Sequence, residues 1–387
     1  MRRLVLVGAV GGLAWAAGLR GWMIQMAASE GSTFHWYGTF ALVLLPGTVV
    51  GGLFGLADHR RRAGMPRSGW LAASPLLFGS ALLDPTILRQ LVEEGIGGGA
   101  LGVATAGIAG GYALSGRGRP WGRRACGALA TLLVLGMLVM ASDQYPLGEA
   151  HGLWVGTYAA SLVALLCLAS AIPQRGERRV LVPRAWHAAA IGGLAGYAWA
   201  ASLRAFMWEV AGEEAGVDAV GTFVWVLLPG TVIGALLALA EWRRWRGGVR
   251  HRRWLVWSPM LFAAILVSSP QILLNPDGGI GLAAVAVPAM CMLGGYAIAG
   301  RGPVAVRVVC AVVALSAIPA WALTAEAVGG PSMGLDDPHG AWAAVLYWAL
   351  LAVFMIAAAV PHRHPAQSSP PVSPGSSSES PSITTTA

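Results

Sequence analysis

Lysine is absent from this chain of 387 residues; all 26 basic residues are arginine. That usage hints at GC-rich, bacterial coding and carries no mechanism, but it excludes a lysine-bearing phosphate loop from every glycine-rich stretch below. Charge of either sign is scarce, at 11% of residues against about 25% in soluble proteins, and 56% of the chain is hydrophobic. With a mean hydropathy of +0.62, a bilayer is the natural solvent. The four cysteines, Cys126, Cys167, Cys291 and Cys310, lie in apolar segments without CxxC spacing, which excludes a zinc ribbon or disulfide framework and leaves buried thiols. No carboxylate stands in the middle of an apolar segment, which counts against a proton-driven pump. No acid and base are paired for catalysis, and no residues recur at metal-ligand spacing. The expectation is no enzyme, no cofactor and no metal.

What is present is a duplication. GTFALVLLPGTVVG, from Gly38 to Gly51, returns as GTFVWVLLPGTVIG, from Gly221 to Gly234, identical at eleven of fourteen positions. AWAAGLRGWM from Ala14 matches AWAASLRAFM from Ala198, and SPLLF from Ser74 matches SPMLF from Ser258. GGYALSGRG from Gly110 matches GGYAIAGRG from Gly294. The offset is 183 or 184 until His151-Gly152 and His339-Gly340, where it becomes 188. Four extra residues therefore lie in the last outer loop of the second copy.

Apolar segments run at Leu4–Ile24, Trp36–Ala57, Ser68–Leu83, Ile96–Ser115, Arg124–Ala141 and Gly152–Ile172, then at Trp186–Met207, Val220–Ala240, Trp254–Ser269, Gly279–Ala299, Val304–Thr324 and Gly340–Val360. A spanning helix needs roughly 20 residues. The third segment of each copy is marginal, so the count is about twelve helices, or ten if those two do not cross. The start of the chain resembles a secretory signal, but its counterpart lies deep inside the chain, so it is read as a retained helix. Twenty-three of the 26 arginines fall in one set of alternate loops; Arg20, Arg89 and Arg204 are the exceptions. The opposite loops carry most of the acids, among them Glu30, Glu93, Glu209 and Asp337. The positive-inside rule then places both termini in the cytoplasm, and it turns the net charge of +8 into a topology signal rather than a nucleic-acid surface.

The fold expected is an all-α integral membrane protein of the inner (plasma) membrane, built as two tandem parallel six-helix repeats, 1–173 and 185–361. A short arginine-rich cytoplasmic linker, 174–184, joins them, and a disordered Pro/Ser/Thr-rich tail covers 362–387. Pro46 and Pro229 fall near the middle of the second helix of each copy, where they kink or break it; Thr48 and Thr231 are placed to satisfy freed carbonyls. Arg20 and Arg204 lie one turn inside the outer end of the first helices, fitting either an interfacial anchor or an anion or lipid-headgroup site. These six residues form the candidate substrate-binding set. His151 and His339, each starting the last helix of a copy, read as interfacial helix starts. The glycine-rich fourth segments predict a central, crowded helix in each half. Asp58-His59-Arg60-Arg61-Arg62 and Glu241-Trp242-Arg243-Arg244 resemble the cytoplasmic loop signature of major facilitator transporters, without the glycine that follows the acid there.

Composition and pattern thus favour a secondary transporter, permease or small-molecule- or lipid-binding protein with its site between the copies. Membrane lipids and a small-molecule substrate are the partners expected. A non-catalytic scaffold or accessory subunit is the alternative. An enzyme acting on lipid-linked substrates through Asp84, Glu93 or Asp143 is weaker, because Ser268-Ser269 stand where the first copy has Leu83-Asp84.

Overall fold

A computed structural model describes residues 1–27, 34–66, 68–85, 88–89, 93, 98–175, 184–212, 216–246, 253–268 and 280–363. Of the tail expected over 362–387, His362 closes a short 3₁₀ turn and the residues from 364 onward lie outside the described residues, as do most of the linker, Glu30 and Ser269. Among the described residues the chain is helical and has no strand. In a chain this apolar, helices satisfy every backbone donor and acceptor without water.

In chain order the helices are α1 (Arg2–Met26), α2 (Trp36–Arg62), α3 (69–83), α4 (Gly98–Leu114), α5 (Pro120–Gln144), α6 (Ala150–Gln174), α7 (Ala185–Ala211), α8 (Val220–Trp245), α9 (253–268), α10 (Ile280–Ala299), α11 (Val304–Gly329) and α12 (Pro338–Ala358). Seven helices among the described residues are long and apolar enough to cross a membrane: α1, α2, α5, α6, α8, α11 and the 338–362 stretch begun by α12. The helix α7 has 27 residues but is diluted by His187, Arg204 and Glu209 and falls outside that set.

Two departures from ideal α geometry recur. The first part of α2 (Trp36–Leu44) and of α8 (Val220–Leu227) is π-helical, and each passes into α-helix at the leucine before Pro46 or Pro229. The wider π turn makes room for the proline ring where the carbonyl four residues back would otherwise stand, so neither helix is broken. The third segments are largely 3₁₀, over Ser74–Leu83 and Ser258–Ala264. At about 2 Å per residue, 3₁₀ helix reaches further than α-helix of the same length, so α3 extends on the order of 25 Å despite its few residues.

Glycine decides the tightest packing. On α1, Gly8 and Gly12 face Gly47, Gly51 and Gly55 of α2 so closely that a Cβ on Gly12 would strike the carbonyl of Gly47, and one on Gly51 the carbonyl of Gly8. Gly192 and Gly196 of α7 meet Gly230 and Gly234 of α8 in the same way. These are small-xxx-small contacts, in which two helix backbones touch and dispersion replaces side-chain interdigitation. The crowding expected of the fourth helices is present at Gly107, Gly110 and Gly111, which abut Leu166, Cys167 and Ser170 of α6, but Gly99 and Gly102 face open space.

The core lies where the two halves of the chain meet. One cluster joins Trp22, Trp154, Tyr158, Ala201 and Leu227; another joins Ala17, Leu44, Phe206, Trp342 and Leu346. Indole and phenol groups tie it together: Trp15 Nε1 donates to the Leu162 carbonyl (2.8 Å), Trp199 Nε1 to Leu350 (2.9 Å), Trp342 Nε1 to Ala17 (3.1 Å) and Tyr158 Oη to Gly18 (2.6 Å). The first helix of each half therefore packs against the last helix of both.

Candidate functional site

Four polar side chains form an unbroken hydrogen-bonded chain across the junction of the halves. His151, at the start of α6, places Nε2 3.1 Å from Gln25 Oε1 on α1. Gln25 Nε2 donates to Glu209 Oε1 on α7 (3.3 Å), and Glu209 Oε2 lies 3.0 Å from His339 Nε2 at the start of α12. The arrangement assigns Nε2–H to both imidazoles, because each faces an oxygen acceptor. Gln25 is 1% exposed, and the Glu209 side chain is nearly as buried.

Aromatic rings wall the two histidines. Tyr145 stacks on His151 at 4.0 Å, with Trp208 edge-on at 5.0 Å; Phe34 stacks on His339 at 4.3 Å. Burial pushes the Tyr145 phenol, in the turn before α6, above its ordinary pKa. The backbone N–H of His339 also donates to Asp337 (2.7 Å), which caps α12.

Arg20 and Arg204 lie beneath this chain, 8% and 4% exposed, buried in protein rather than reaching to an interface. Arg20 Nε donates to Thr39 Oγ1 (3.4 Å) and its guanidinium lies 4.7 Å from the Phe34 ring centroid. Arg204 Nε donates to Thr222 Oγ1 (3.3 Å) and Nη2 to the Gly216 carbonyl (2.6 Å), with the Trp154 ring at 5.5 Å. Thr39 and Thr222 are the threonines of the repeated GTF, so that motif serves as the acceptor for a buried arginine on the neighbouring helix. The charge of Glu209 acts on Arg20, and that of Arg204 on His151.

Pro46 and Pro229 are buried within their own hairpins; the adjacent Gly47 packs on Gly12 and Ala16, and Gly230 on Gly196 and Ala200. Thr48 Oγ1 donates to the Leu44 carbonyl (2.8 Å) and Thr231 Oγ1 to Leu227 (2.7 Å). Both bonds run one turn back. They miss the carbonyl that each proline would orphan in an α register, that of Leu42 in α2 and of Trp225 in α8. The candidate set thus divides: the arginines adjoin the polar chain, while the prolines and threonines belong to the α1–α2 and α7–α8 contacts.

Gln25 escaped the reading of the sequence, and Glu209 was read only as an outer acid, although the 184-residue offset aligns the two, two residues after Met23 and Met207. A polar residue at matched positions of two apolar helices was the available signal. One asymmetry is also visible only in three dimensions. Trp154 and Trp342 correspond and both are fully buried, yet Trp342 Nε1 has an acceptor and Trp154 Nε1 has none among the described residues.

Apolar helices of this length and number, packed around buried polar groups, define an α-helical multi-pass membrane protein. No protein-family model matches the chain, and comparison with curated proteins and with solved structures gives no match. Among the described residues no three His, Cys, Asp or Glu side chains are grouped to hold a metal ion.

Proposed function

We propose that the protein is a secondary transporter or permease of the plasma membrane, in which two parallel six-helix repeats cross the bilayer twelve times with both termini cytoplasmic. The repeats rock against each other, and the His151–Gln25–Glu209–His339 chain closes the outer end of the path between them. The observation that carries this reading is the chain itself: its central hydrogen bond, Gln25 to Glu209, joins the halves at that end, and each partner is held within its own half by a histidine. A hydrogen bond between membrane helices is worth about 0.6 kcal/mol on average, and only Gln25–Glu209 crosses between the halves, so the latch is on the order of 1 kcal/mol. That is the size of gap that a ligand can reverse. Opening the latch would uncover Arg20, Arg204 and the Trp154 indole N–H, a donor-rich surface suited to a small molecule bearing acceptor or anionic groups. Pro46, Pro229, Thr48 and Thr231 would enter as hinge elements at the π-to-α junctions rather than as direct ligands.

The test is a distance measurement between spin labels at Gly148→Cys and Asp336→Cys, in bilayer nanodiscs, with Cys126 and Cys310 replaced by alanine. A rocking transporter gives two distance populations, and Glu209→Ala moves weight to the longer one. A single distribution that Glu209→Ala leaves unchanged overturns the proposal. It would favour a rigid, non-catalytic scaffold, a reading supported by the fully buried Ala17, Trp154 and Trp342 between the halves.

A further inference from the structure

At the opposite end of α6 from His151, on the order of 36 Å away along the helix, lies a cavity of about 350 Å³. It opens among the end of α2, residues 65 and 66, Ser68, Arg117 after α4 and the end of α6. Arg60, Arg61, Arg117 and Arg175 line it, together with Ser68 and the Pro66 backbone. The volume is at the lower end of the roughly 300–1,000 Å³ typical of ligand sites.

The local acid neutralises only one of these four arginines. Asp58 pairs with Arg61 (2.8 Å) and Arg62 (2.7 Å) on its own helix. Among the described residues no carboxylate pairs with Arg60, Arg117 or Arg175. Arg60 Nη2 donates to the Pro66 carbonyl (3.3 Å), but Nε of Arg60 and Nε of Arg61 are buried without an acceptor. Two buried cationic donors without partners carry a real desolvation cost unless something accepts from them. Arg175 is pushed below the ordinary arginine pKa by burial and then by the charge of Arg61.

In the second half the described counterparts of these residues are engaged differently. There the acid is one methylene longer, and Glu241 takes Arg244 through both carboxylate oxygens. Arg301, the counterpart of Arg117, donates to the His362 carbonyl (3.2 Å), and the short 3₁₀ turn Val360–His362 packs against α8. In the first half the counterparts of Val360 and Pro361, Ile172 and Pro173, stay in α6 and line the cavity, no acceptor meets the Arg117 side chain among the described residues, and Asp58 takes Arg61 through one oxygen only.

We propose that this first-half cavity is a binding site for a phosphate group, held by Arg60, Arg61, Arg117 and Arg175. Planar guanidinium forks suit phosphate oxygens, and Ser68 adds a neutral donor. The phosphate belongs either to an anionic phospholipid headgroup at the arginine-rich end of the bundle or to a soluble phosphate compound. The site requires neither transport nor movement of the halves.

The test is a thermal-shift titration of the detergent-purified full chain with two probes, phosphatidylglycerol against phosphatidylcholine in mixed micelles, and inorganic pyrophosphate against chloride at equal ionic strength. Either probe should raise the midpoint by mass action. Arg60→Gln/Arg175→Gln should weaken the apparent affinity by roughly tenfold or more, whereas Arg243→Gln/Arg301→Gln in the second half should leave it unchanged. A response to phosphatidylglycerol alone assigns the phosphate to the bilayer, and a response to pyrophosphate alone to a soluble ligand. No response to either probe overturns the site, as does an equal response in both double variants. If the first-half double variant does not fold, Arg175→Gln alone, at the exposed end of α6, must still weaken binding.

Discussion

The carboxylate of Glu209 makes two of the three hydrogen bonds of the polar chain, including the one that joins the halves, so it is the residue through which that chain is best tested. Glu209→Ala leaves Gln25 and His339 each short of a partner, and a loss of roughly 1–3 kcal/mol is expected. Glu209→Gln keeps an oxygen in place and should cost less than half as much. Chemical denaturation in detergent measures both, and equal losses would show that the hydrogen bonds carry no energy of their own. Glycine gives a second residue-scale test. Gly116 and Gly118 both hold positive φ, at 76° and 83°, but only at Gly118 would a Cβ also meet the Tyr112 ring. Gly116→Ala should therefore cost about 1 kcal/mol through backbone strain alone, and Gly118→Ala clearly more. Gly302, at φ 85° against Tyr296, should repeat the larger effect.

The paired helices α1–α2 and α7–α8 behave as units because their backbones touch. A side chain at Gly12 or Gly51 cannot be absorbed by rotamer change, since the colliding atoms belong to the backbone. Gly12→Val and Gly196→Val should each lower stability by about 3 kcal/mol or more, at the upper end of overpacking effects. Gly11→Val, one position away and facing open space, should be nearly neutral in a bilayer. Thermal midpoints of the three variants check this, and a midpoint for Gly12→Val equal to that of Gly11→Val would rule out backbone contact as the basis of the hairpin. The π-helical starts of α2 and α8 belong to the same scale. They rotate the residues before Pro46 and Pro229 relative to an α-helix, which carries Thr39 and Thr222 to the buried arginines.

For the whole molecule, orientation is the first quantity to establish. Cysteines introduced at Gly148 and Asp336, on the polar-chain end, should react with a membrane-impermeant maleimide added to intact cells. Cysteines at Gly64 and Gly116, on the arginine-rich end, should react only after permeabilisation. The reverse pattern would invert the proposed topology, and a mixed pattern would remove the even number of crossings in each half. Both ends of the bundle then carry a separate polar device: a neutral-to-acidic latch between the halves at one, and an arginine-lined cavity within the first half at the other.

The positions of the helices followed from hydrophobic run length, because in a bilayer a backbone can satisfy itself only by coiling, and the matched segments made each half a check on the other. Pro46 and Pro229 marked the sites of irregular geometry, yet their outcome, a π turn rather than a break, depended on the neighbouring glycines that fix how closely α1 and α7 approach. The arginines were conspicuous as charges within apolar runs, but their acceptors, Thr39 and Thr222, lie on another helix. Gln25 looked like an ordinary polar end of a helix, Glu209 like one more outer acid, and His151 and His339 like ordinary starts. Hydrophobic periodicity is a property of one segment at a time, and it determined the elements. Which polar ends meet, and which arginines are left without an anion, are properties of helices from distant parts of the chain brought side by side, and only the tertiary structure decided them.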